Sequence, residues 1–280
     1  MESKKKKIIG EGKDGIVYEY GNENIVKLLK KKGINNFIEI FIKKNFTHEN
    51  IMTSKKISFN GNNIKFLEEK GIEVTKYVEK KSYEKRKRLC LQLCKGIEFL
   101  HRNGIIHGDI KPSNLLVLNN TLKVNDFSCS KIVSKDNIFE GIAYSYLYRP
   151  PEINLTFQSD IYALGCTIYE ILNTDCKSLY KKIGETKIKC LIKLKDEKLN
   201  VLLERMISDK IDERPDIHDI IKFFEKDLNI QSEDCTKANC FFIQTVLYNF
   251  CLKNNLDYAN TLYLINTGKS LDEKFFEIIK

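Results

Sequence analysis

Residues 105–128 read IIHGDIKPSNLLVLNNTLKVNDFS, and this stretch decides the fold. An apolar run at Leu115–Leu118 is followed by an asparagine pair and then by a second short run at Leu122–Val124. Two such runs joined by turn residues are typical of a β-hairpin. Because the two ends of a hairpin are neighbours in space, the sequence predicts that Asp109, before the hairpin, and Asp126, after it, belong to one site.

The polar residues around this hairpin are of the types that phosphoryl transfer needs. Magnesium takes oxygen ligands and uses one or two carboxylates, so Asp126 and the carbonyl oxygen of Asn114 are the candidate metal ligands. A reacting hydroxyl needs a carboxylate that orients it and accepts its proton, and Asp109 is placed for that role. Lys111 follows two residues later and is the candidate for neutralising the migrating phosphoryl group.

A glycine-rich segment near the start of the chain supplies the candidate nucleotide-binding residues Ile9, Gly10, Glu11, Gly12, Lys13, Asp14, Gly15, Ile16 and Val17. A lone G-x-G-x-x-G also occurs in dinucleotide-binding folds, where a helix follows the glycines. Here strand-like sequence follows instead, at Ile16–Tyr20 and again at Ile25–Leu29. This order favours a loop whose backbone amides close over triphosphate oxygens.

The motif H-x-D-I-K-P-S-N-L-L followed by D-F resembles the catalytic and metal loops of eukaryotic-type Ser/Thr protein kinases. Other motifs of that family follow in the family's order: P-P-E at 150–152, D-x-x-x-x-G at 160–165 and an arginine at 214. The resemblance implies an α+β, bilobal protein-kinase-like fold with a small β-rich N-lobe (1–70) and a larger helical C-lobe (71–228). Residues 229–280 lie beyond it, and their apolar rhythm predicts a C-terminal helical extension that packs on the large lobe or binds another protein.

The resemblance also implies roles for individual residues. Lys27 would grip the nucleotide phosphates and pair with Glu39 on the following helix. The remaining roles would be carried by Asp109, Lys111 and Asn114 as catalytic residues, and by Asn114 and Asp126 as ligands of Mg²⁺, with ATP as the other cofactor. Asp160 would accept backbone amides of the catalytic loop, and Arg214 would pair with Glu152.

Three departures from the family pattern bear on whether the chain is active. Gly108 stands where arginine is common, Ser128 where the family has glycine, and Lys43 where an apolar residue normally stacks on the metal-loop phenylalanine. We therefore expect an incomplete apolar stack through His107 and Phe127. These departures favour one alternative, a pseudokinase that scaffolds other proteins.

A second alternative is a small-molecule kinase of the aminoglycoside or choline type, in which H-G-D is also frequent. Against the pseudokinase, the key residues Lys27, Glu39, Asp109, Asn114 and Asp126 are all present. Against the small-molecule kinase, enzymes of that type lack the P-P-E segment, the D-x-x-x-x-G helix and the late arginine, all of which this chain has. The pattern D-x-K-x-x-N is typical of enzymes that act on serine and threonine. The favoured hypothesis is an active Ser/Thr protein kinase whose partner is a protein substrate.

Composition sets the remaining expectations. The chain has 47 basic and 38 acidic residues, a net charge of +9 that is spread along its length, so we expect no nucleic-acid partner. No apolar run approaches the roughly 20 residues of a membrane span, so no membrane partner is expected. Nine cysteines without a C-x-x-C pair predict an intracellular protein, cytoplasmic or nuclear. The cluster Lys4–Lys7 is expected to be a solvated tail.

Regulation is the last expectation from the sequence. The segment between the metal loop and P-P-E contains Ser134, Ser145 and Tyr146 as candidate phosphate acceptors. A phosphate needs cations to order a loop, and Gly108 supplies none. We therefore expect basal activity without phosphorylation of this segment, with order supplied by a regulatory protein at the Glu39 helix or by the C-terminal extension.

Overall fold

The structure is a computed structural model that describes residues 7–11, 15–29, 34–60, 63–133, 139–140, 144–173, 175, 177–183, 186–190, 193–231 and 242–267. Its N-terminal part is built on a β-sheet and its C-terminal part is mainly helical. The bilobal α+β fold predicted from the sequence is confirmed.

The small lobe is an antiparallel sheet packed against one helix. In the described residues its strands are β1 (Ile8–Glu11), β2 (Gly15–Tyr20), β3 (Asn24–Leu29), β4 (Lys56–Asn60) and β5 (Asn63–Glu69), in the spatial order β1-β2-β3-β5-β4. The helix α1 (Ile34–Asn45) lies between β3 and β4 in sequence. Alternation along β5 turns Ile64, Phe66 and Glu68 inward. The first two belong to the apolar core, whereas Glu68 places a carboxylate in it.

The large lobe is organised around one long helix. Its described helices are α2 (Val74–Val78), α3 (Tyr83–Arg102), α4 (Phe157–Leu172), α5 (Glu197–Met206) and α6 (Ile217–Asp227). The Ser82 hydroxyl accepts a hydrogen bond from the backbone N–H of Lys85 at 3.3 Å and so caps α3. The apolar residues at helical spacing along α3 are buried throughout: Leu89, Leu93, Ile97 and Leu100.

Short strands carry the polar loops of the large lobe. They are β6 (Ile72–Glu73), β7 (Ile105–Ile106), β8 (Leu115–Leu118), β9 (Thr121–Val124), β10 (Lys131–Ile132), β11 (Phe139–Glu140), β12 (Asn154–Leu155), β13 (Tyr180–Ile183) and β14 (Thr186–Lys189). The predicted hairpin is β8–β9, and Asn119 and Asn120 turn it with φ of 48° and 66°. Its ends meet, because the Asn125 N–H donates to the Asn114 carbonyl at 2.9 Å.

Residues beyond the large lobe form α7 (Phe242–Lys253) and α8 (Tyr258–Thr267), whereas 232–241 and 268–280 lie outside the described residues. The helix α8 contacts α1 and β10, and the ring of Phe250 lies 6.3 Å from that of Phe37 on α1. The helices α7 and α8 therefore pack against the small-lobe helix as well as the large lobe. None of the described helices combines the length and apolar character needed to cross a bilayer.

Candidate active site

Lys27 connects the two lobes. Its neighbours across the sheet are Val17 and Phe66, and it follows buried Ile25 by two residues, so it faces the inside of the sheet. The Lys27 ammonium donates to the two carboxylate oxygens of Glu39 at 2.9 and 3.1 Å, and to Asp126 at 3.2 Å. The predicted pairing of Lys27 with Glu39 is present, and the same lysine reaches the metal loop.

Burial and charge oppose each other in this group. Burial alone would lower the pKa of Lys27, but the carboxylates of Glu39 and Asp126 raise it above its ordinary value. Burial alone would raise the pKa of Asp126, but the Lys27 ammonium lowers it to about 2. The same balance, with Lys27 and Lys43 as the cations, lowers the pKa of Glu39. At neutral pH these side chains are therefore charged.

The glycine segment is described on both sides of its tip. Ile9, Gly10 and Glu11 lie on β1, Ile16 and Val17 lie on β2, and Gly12, Lys13 and Asp14 fall outside the described residues. Among the described residues, a Cβ atom at Gly10 would meet only Val17, at the ordinary van der Waals distance of 3.8 Å. At Gly15 a Cβ atom would lie 2.4 Å from the Leu28 carbonyl oxygen, so this glycine is required by strand pairing.

The catalytic-loop residues converge on the carboxylate of Asp109. One oxygen accepts hydrogen bonds from the Ser145 backbone N–H at 2.8 Å and from the Ser145 hydroxyl at 3.0 Å. The other accepts from the Lys111 ammonium and from the Asn114 amide at 3.2 Å. The 3₁₀ turn 112–114 folds Asn114 back over Asp109, whose carbonyl accepts from the same amide at 2.8 Å. The donors hold the Asp109 carboxylate in one orientation.

Asp160, at the start of α4, fixes the backbone of this loop. Its buried carboxylate accepts from the N–H groups of His107 at 2.8 Å and Gly108 at 3.0 Å, as predicted. It also contacts the His101 ring at 2.9 Å and accepts from the Tyr144 hydroxyl at 2.9 Å. Burial alone would raise the pKa of Asp160, but the hydrogen bond with His101 lowers it below its ordinary value.

Backbone geometry explains two of the three departures from the family pattern. Gly108 has φ of +79°, and a Cβ atom there would lie 2.5 Å from the Cys129 carbonyl oxygen, so any side chain at 108 is strained. Ser128 is absent from the described non-glycine residues with positive φ, so a serine needs no left-handed backbone there. Neither departure removes a side chain that the site uses.

The third departure, Lys43, corrects an expectation. Phe127 is fully buried and its ring lies 5.6 Å from that of His107, so this part of the stack is formed. The Lys43 side chain is completely buried, and its ammonium lies 3.0 Å from Glu39 and contacts Glu68. The His107–Phe127 part of the stack is therefore formed, and Lys43 is held in a buried ion pair with Glu39 and Glu68.

Sequence reasoning missed the position of Ser145. It had been considered only as a phosphate acceptor, whereas its hydroxyl lies between Asp109 and Lys111, accepting from the Lys111 ammonium at 2.7 Å. The segment between the metal loop and P-P-E is also fixed at its C-terminal end. There the Arg214 guanidinium donates to the two oxygens of Glu152 at 2.7 and 2.8 Å, as predicted. No periodicity in the sequence joins Ser145 to Asp109, so only the fold brings them together.

Comparison with known proteins accounts for this arrangement. The family model described as the protein kinase domain matches residues 3–223. The chain belongs to the eukaryotic-type protein kinase family. Because this match runs from before the glycine segment to beyond Arg214, the kinase domain contains every site residue described above.

Individual kinases match smaller parts of the chain. The chain is 44% identical over 86 residues to the mouse MAPK/MAK/MRK overlapping kinase (29% of this chain, 20% of that protein). It is 30% identical over 189 residues to CTD kinase subunit alpha of Saccharomyces cerevisiae (59% and 36%). It is 31% identical over 144 residues to mitogen-activated protein kinase HOG1 of Scheffersomyces stipitis (48% and 37%). The chain thus spans about a fifth to somewhat over a third of these relatives.

The donor set of the kinase domain fits a magnesium nucleotide. Among the described residues, no group of three or more His, Cys, Asp or Glu side chains could hold a metal by itself. Such a sparse site suits Mg²⁺, which takes one or two protein ligands and completes its shell with water and phosphate oxygens. The Asn114 amide nitrogen donates to Asp109, so its side-chain oxygen is the atom that Asn114 could offer a metal together with Asp126.

Proposed function

We propose that the chain is an ATP- and Mg²⁺-dependent protein kinase that transfers the γ-phosphoryl group of ATP to serine and threonine hydroxyls of proteins. The observation that supports this most is the position of Lys27, which contacts Glu39 at 2.9 Å and Asp126 at 3.2 Å at once. A phosphate-binding lysine and the metal-loop carboxylate are thereby aligned within one chain. We propose the nucleotide-binding residues as those on β1 and β2 together with the loop between them, Lys27 and Glu39.

Each remaining residue has a defined task in this proposal. When bound, Mg²⁺–ATP supplies the phosphoryl group and the metal charge, and Asp126 with the Asn114 side-chain oxygen would hold the metal. The Asp109 carboxylate accepts a hydrogen bond from the substrate hydroxyl, orients it and takes its proton as the new oxygen–phosphorus bond forms and the bond from the γ-phosphorus to the leaving oxygen of ADP breaks. Lys111 places a positive charge beside Asp109 and so stabilises the charge that develops on the transferred group.

The experiment that tests this proposal determines which class of acceptor the chain phosphorylates. The purified chain is incubated with labelled ATP and Mg²⁺ and with three acceptors: a generic basic protein, a tyrosine-containing peptide without Ser or Thr, and a panel of small hydroxyl compounds. We expect label on the protein, recovered after hydrolysis as phosphoserine or phosphothreonine. Label only on a small compound would favour a small-molecule kinase, and nucleotide binding without transfer to any acceptor would favour a pseudokinase.

Substitution of Ser145 tests the role of its hydroxyl separately from that of its backbone N–H. Ser145→Ala removes a hydrogen bond to the Asp109 carboxylate and one from Lys111. Hydrogen bonds to charged groups contribute about 1.5–3 kcal/mol, so we expect kcat to fall about 10- to 100-fold at saturating ATP. Ser145→Thr keeps the hydroxyl and should remain close to the wild-type rate. If the alanine and threonine variants turn over equally fast, the hydroxyl has no role in orienting Asp109.

We also propose a role for the C-terminal extension. We infer that α7 and α8 support α1 from outside, since Phe250 packs near Phe37, and that a regulatory protein would bind where these helices meet α1. Tyr248, Leu252 and Tyr263 are exposed on these two helices and are suited to such a contact.

The described cysteines are free, which is consistent with an intracellular protein, cytoplasmic or nuclear.

A further inference from the structure

Lys43 occupies an unusual place for a lysine. It lies one helical turn after Glu39, on the face of α1 that meets the sheet, and its side chain is 0% exposed. Its ammonium lies 3.0 Å from Glu39 and donates to the Asn125 side chain at 3.1 Å, in addition to its contact with Glu68. Lysine is almost never fully buried unless it is paired with a carboxylate, so this position depends on its acidic neighbours.

Glu68 is the buried acid that faces Lys43. It pairs across the sheet with Ile25, two residues before Lys27, so its side chain lies on the same face as Lys27. One of its oxygens accepts from Lys43 and from the Ser54 hydroxyl at 2.9 Å. The other oxygen is buried and has no hydrogen-bond partner in the described part of the chain. A buried carboxylate with an unsatisfied oxygen requires a nearby cation.

The charges of this region therefore form a linked series. Lys27 is shared by Glu39 and Asp126, whereas Lys43 is shared by Glu39 and Glu68. Without Lys43, the charge of Glu68 would face Lys27, the next cation on the same face of the sheet. Lys27 would then be drawn away from Glu39 and Asp126, which hold it where the nucleotide phosphates are expected.

We propose that Lys43 is a positioning residue for phosphoryl transfer: it neutralises Glu68 and thereby keeps Lys27 paired with Glu39 and Asp126. This inference rests on the proposed function, in which Lys27 grips the phosphates of ATP. It predicts that the loss of Mg²⁺–ATP binding in a Lys43 variant is caused by the unpaired charge left on Glu68. Replacing both members of a buried ion pair is generally tolerated far better than replacing one.

The test is a double-mutant cycle with Lys43→Met, Glu68→Gln and the double variant. Glutamine keeps the shape of Glu68 and removes its charge. The matched control is Lys44→Met, the same change at the next residue of α1, where the side chain is exposed. Calorimetry gives the Kd for Mg²⁺–ATP, steady-state kinetics give KM for ATP and kcat, and each value is referred to the folded fraction from a thermal scan.

We expect Lys43→Met to weaken Mg²⁺–ATP binding by about tenfold or more, equivalent to about 1.4 kcal/mol, with KM for ATP rising in parallel. The double variant should return to within about threefold of wild type, a difference within the usual scatter of additive effects. Lys44→Met should bind like wild type. If Lys43→Met binds like the Lys44 control, or if the double variant folds and stays about tenfold weaker, the inference is wrong.

The experiment still decides if Lys43→Met does not fold or if the wild-type chain transfers no phosphoryl group. If Lys43→Met does not fold, the double variant still decides, because the inference requires it to bind within about threefold of wild type. If the wild-type chain binds Mg²⁺–ATP but transfers no phosphoryl group to any acceptor, the proposed function fails. The binding cycle nevertheless decides whether Lys43 positions Lys27, since calorimetry does not depend on turnover.

Discussion

Asp109→Asn is expected to lower kcat about 10²- to 10⁴-fold, the usual contribution of a positioned general base, and to leave Mg²⁺–ATP affinity unchanged. Asparagine retains the shape of Asp109 and can still accept from the Ser145 backbone, but it cannot take a proton from the substrate hydroxyl. Affinity should persist because the side chain of Asp109 contacts Lys111, Asn114 and Ser145, all within the large lobe. The measurements are single-turnover rate and calorimetric Kd.

A surface variant controls for the loss of one negative charge. Asp175 has a side chain that is 58% exposed and contacts Lys177, so Asp175→Asn makes the same chemical change away from the site. We expect this variant to keep the wild-type rate. An Asp109→Asn protein that retains near-native turnover would show that another group accepts the proton, and the assignment of the base would be wrong.

Asp126→Asn is expected to abolish phosphoryl transfer by removing the metal ligand. The carboxylate of Asp126 is ionised at neutral pH, because Lys27 and the other cations lower its pKa to about 2 against the effect of burial. The neutral amide of asparagine is a much poorer ligand for a hard cation such as Mg²⁺. The substitution also removes one of the two acidic partners of Lys27.

Thermal stability provides the measurement for Asp126→Asn. A ligand at a hundred times its Kd stabilises a protein by about 2.7 kcal/mol, so Mg²⁺–ATP should raise the Tm of the wild-type chain clearly. In the variant, the part of this increase that depends on Mg²⁺ should be lost, whereas Asp175→Asn should keep it. Magnesium-dependent stabilisation that survives in Asp126→Asn would place the metal at other residues.

Much of the fold could be predicted because its signals are local. The asparagine pair at 119 and 120 tolerates the left-handed backbone of the β8–β9 turn, and Ser82 is of a residue type that commonly caps helices and caps α3 here. The contacts of Lys27 with Glu39 and of Glu152 with Arg214 could be predicted because the motifs that carry these residues follow the order of the family.

Other parts of the site depend on contacts that no local pattern encodes. Glu68 meets Lys43 across 25 residues of sequence, and its inward direction depends on the register of β5 against β3. Sequence reasoning therefore took Lys43 for a defect in an apolar stack. Ser145 reaches Asp109 across 36 residues for the same reason. The need for glycine at 108 arises from the approach of Cys129, which is visible only in the folded chain.

The measurement that tests the account most directly is the initial rate of the purified chain alone, with Mg²⁺–ATP and a serine-containing protein, before and after phosphatase treatment verified by mass. Lys27 contacts both Glu39 and Asp126, and the Ser145 hydroxyl contacts Asp109. We predict phosphoserine or phosphothreonine at a rate that phosphatase changes by less than about tenfold, 1.4 kcal/mol in barrier terms. A chain that binds Mg²⁺–ATP yet forms no phosphoprotein, or that loses its activity on dephosphorylation, would contradict the account.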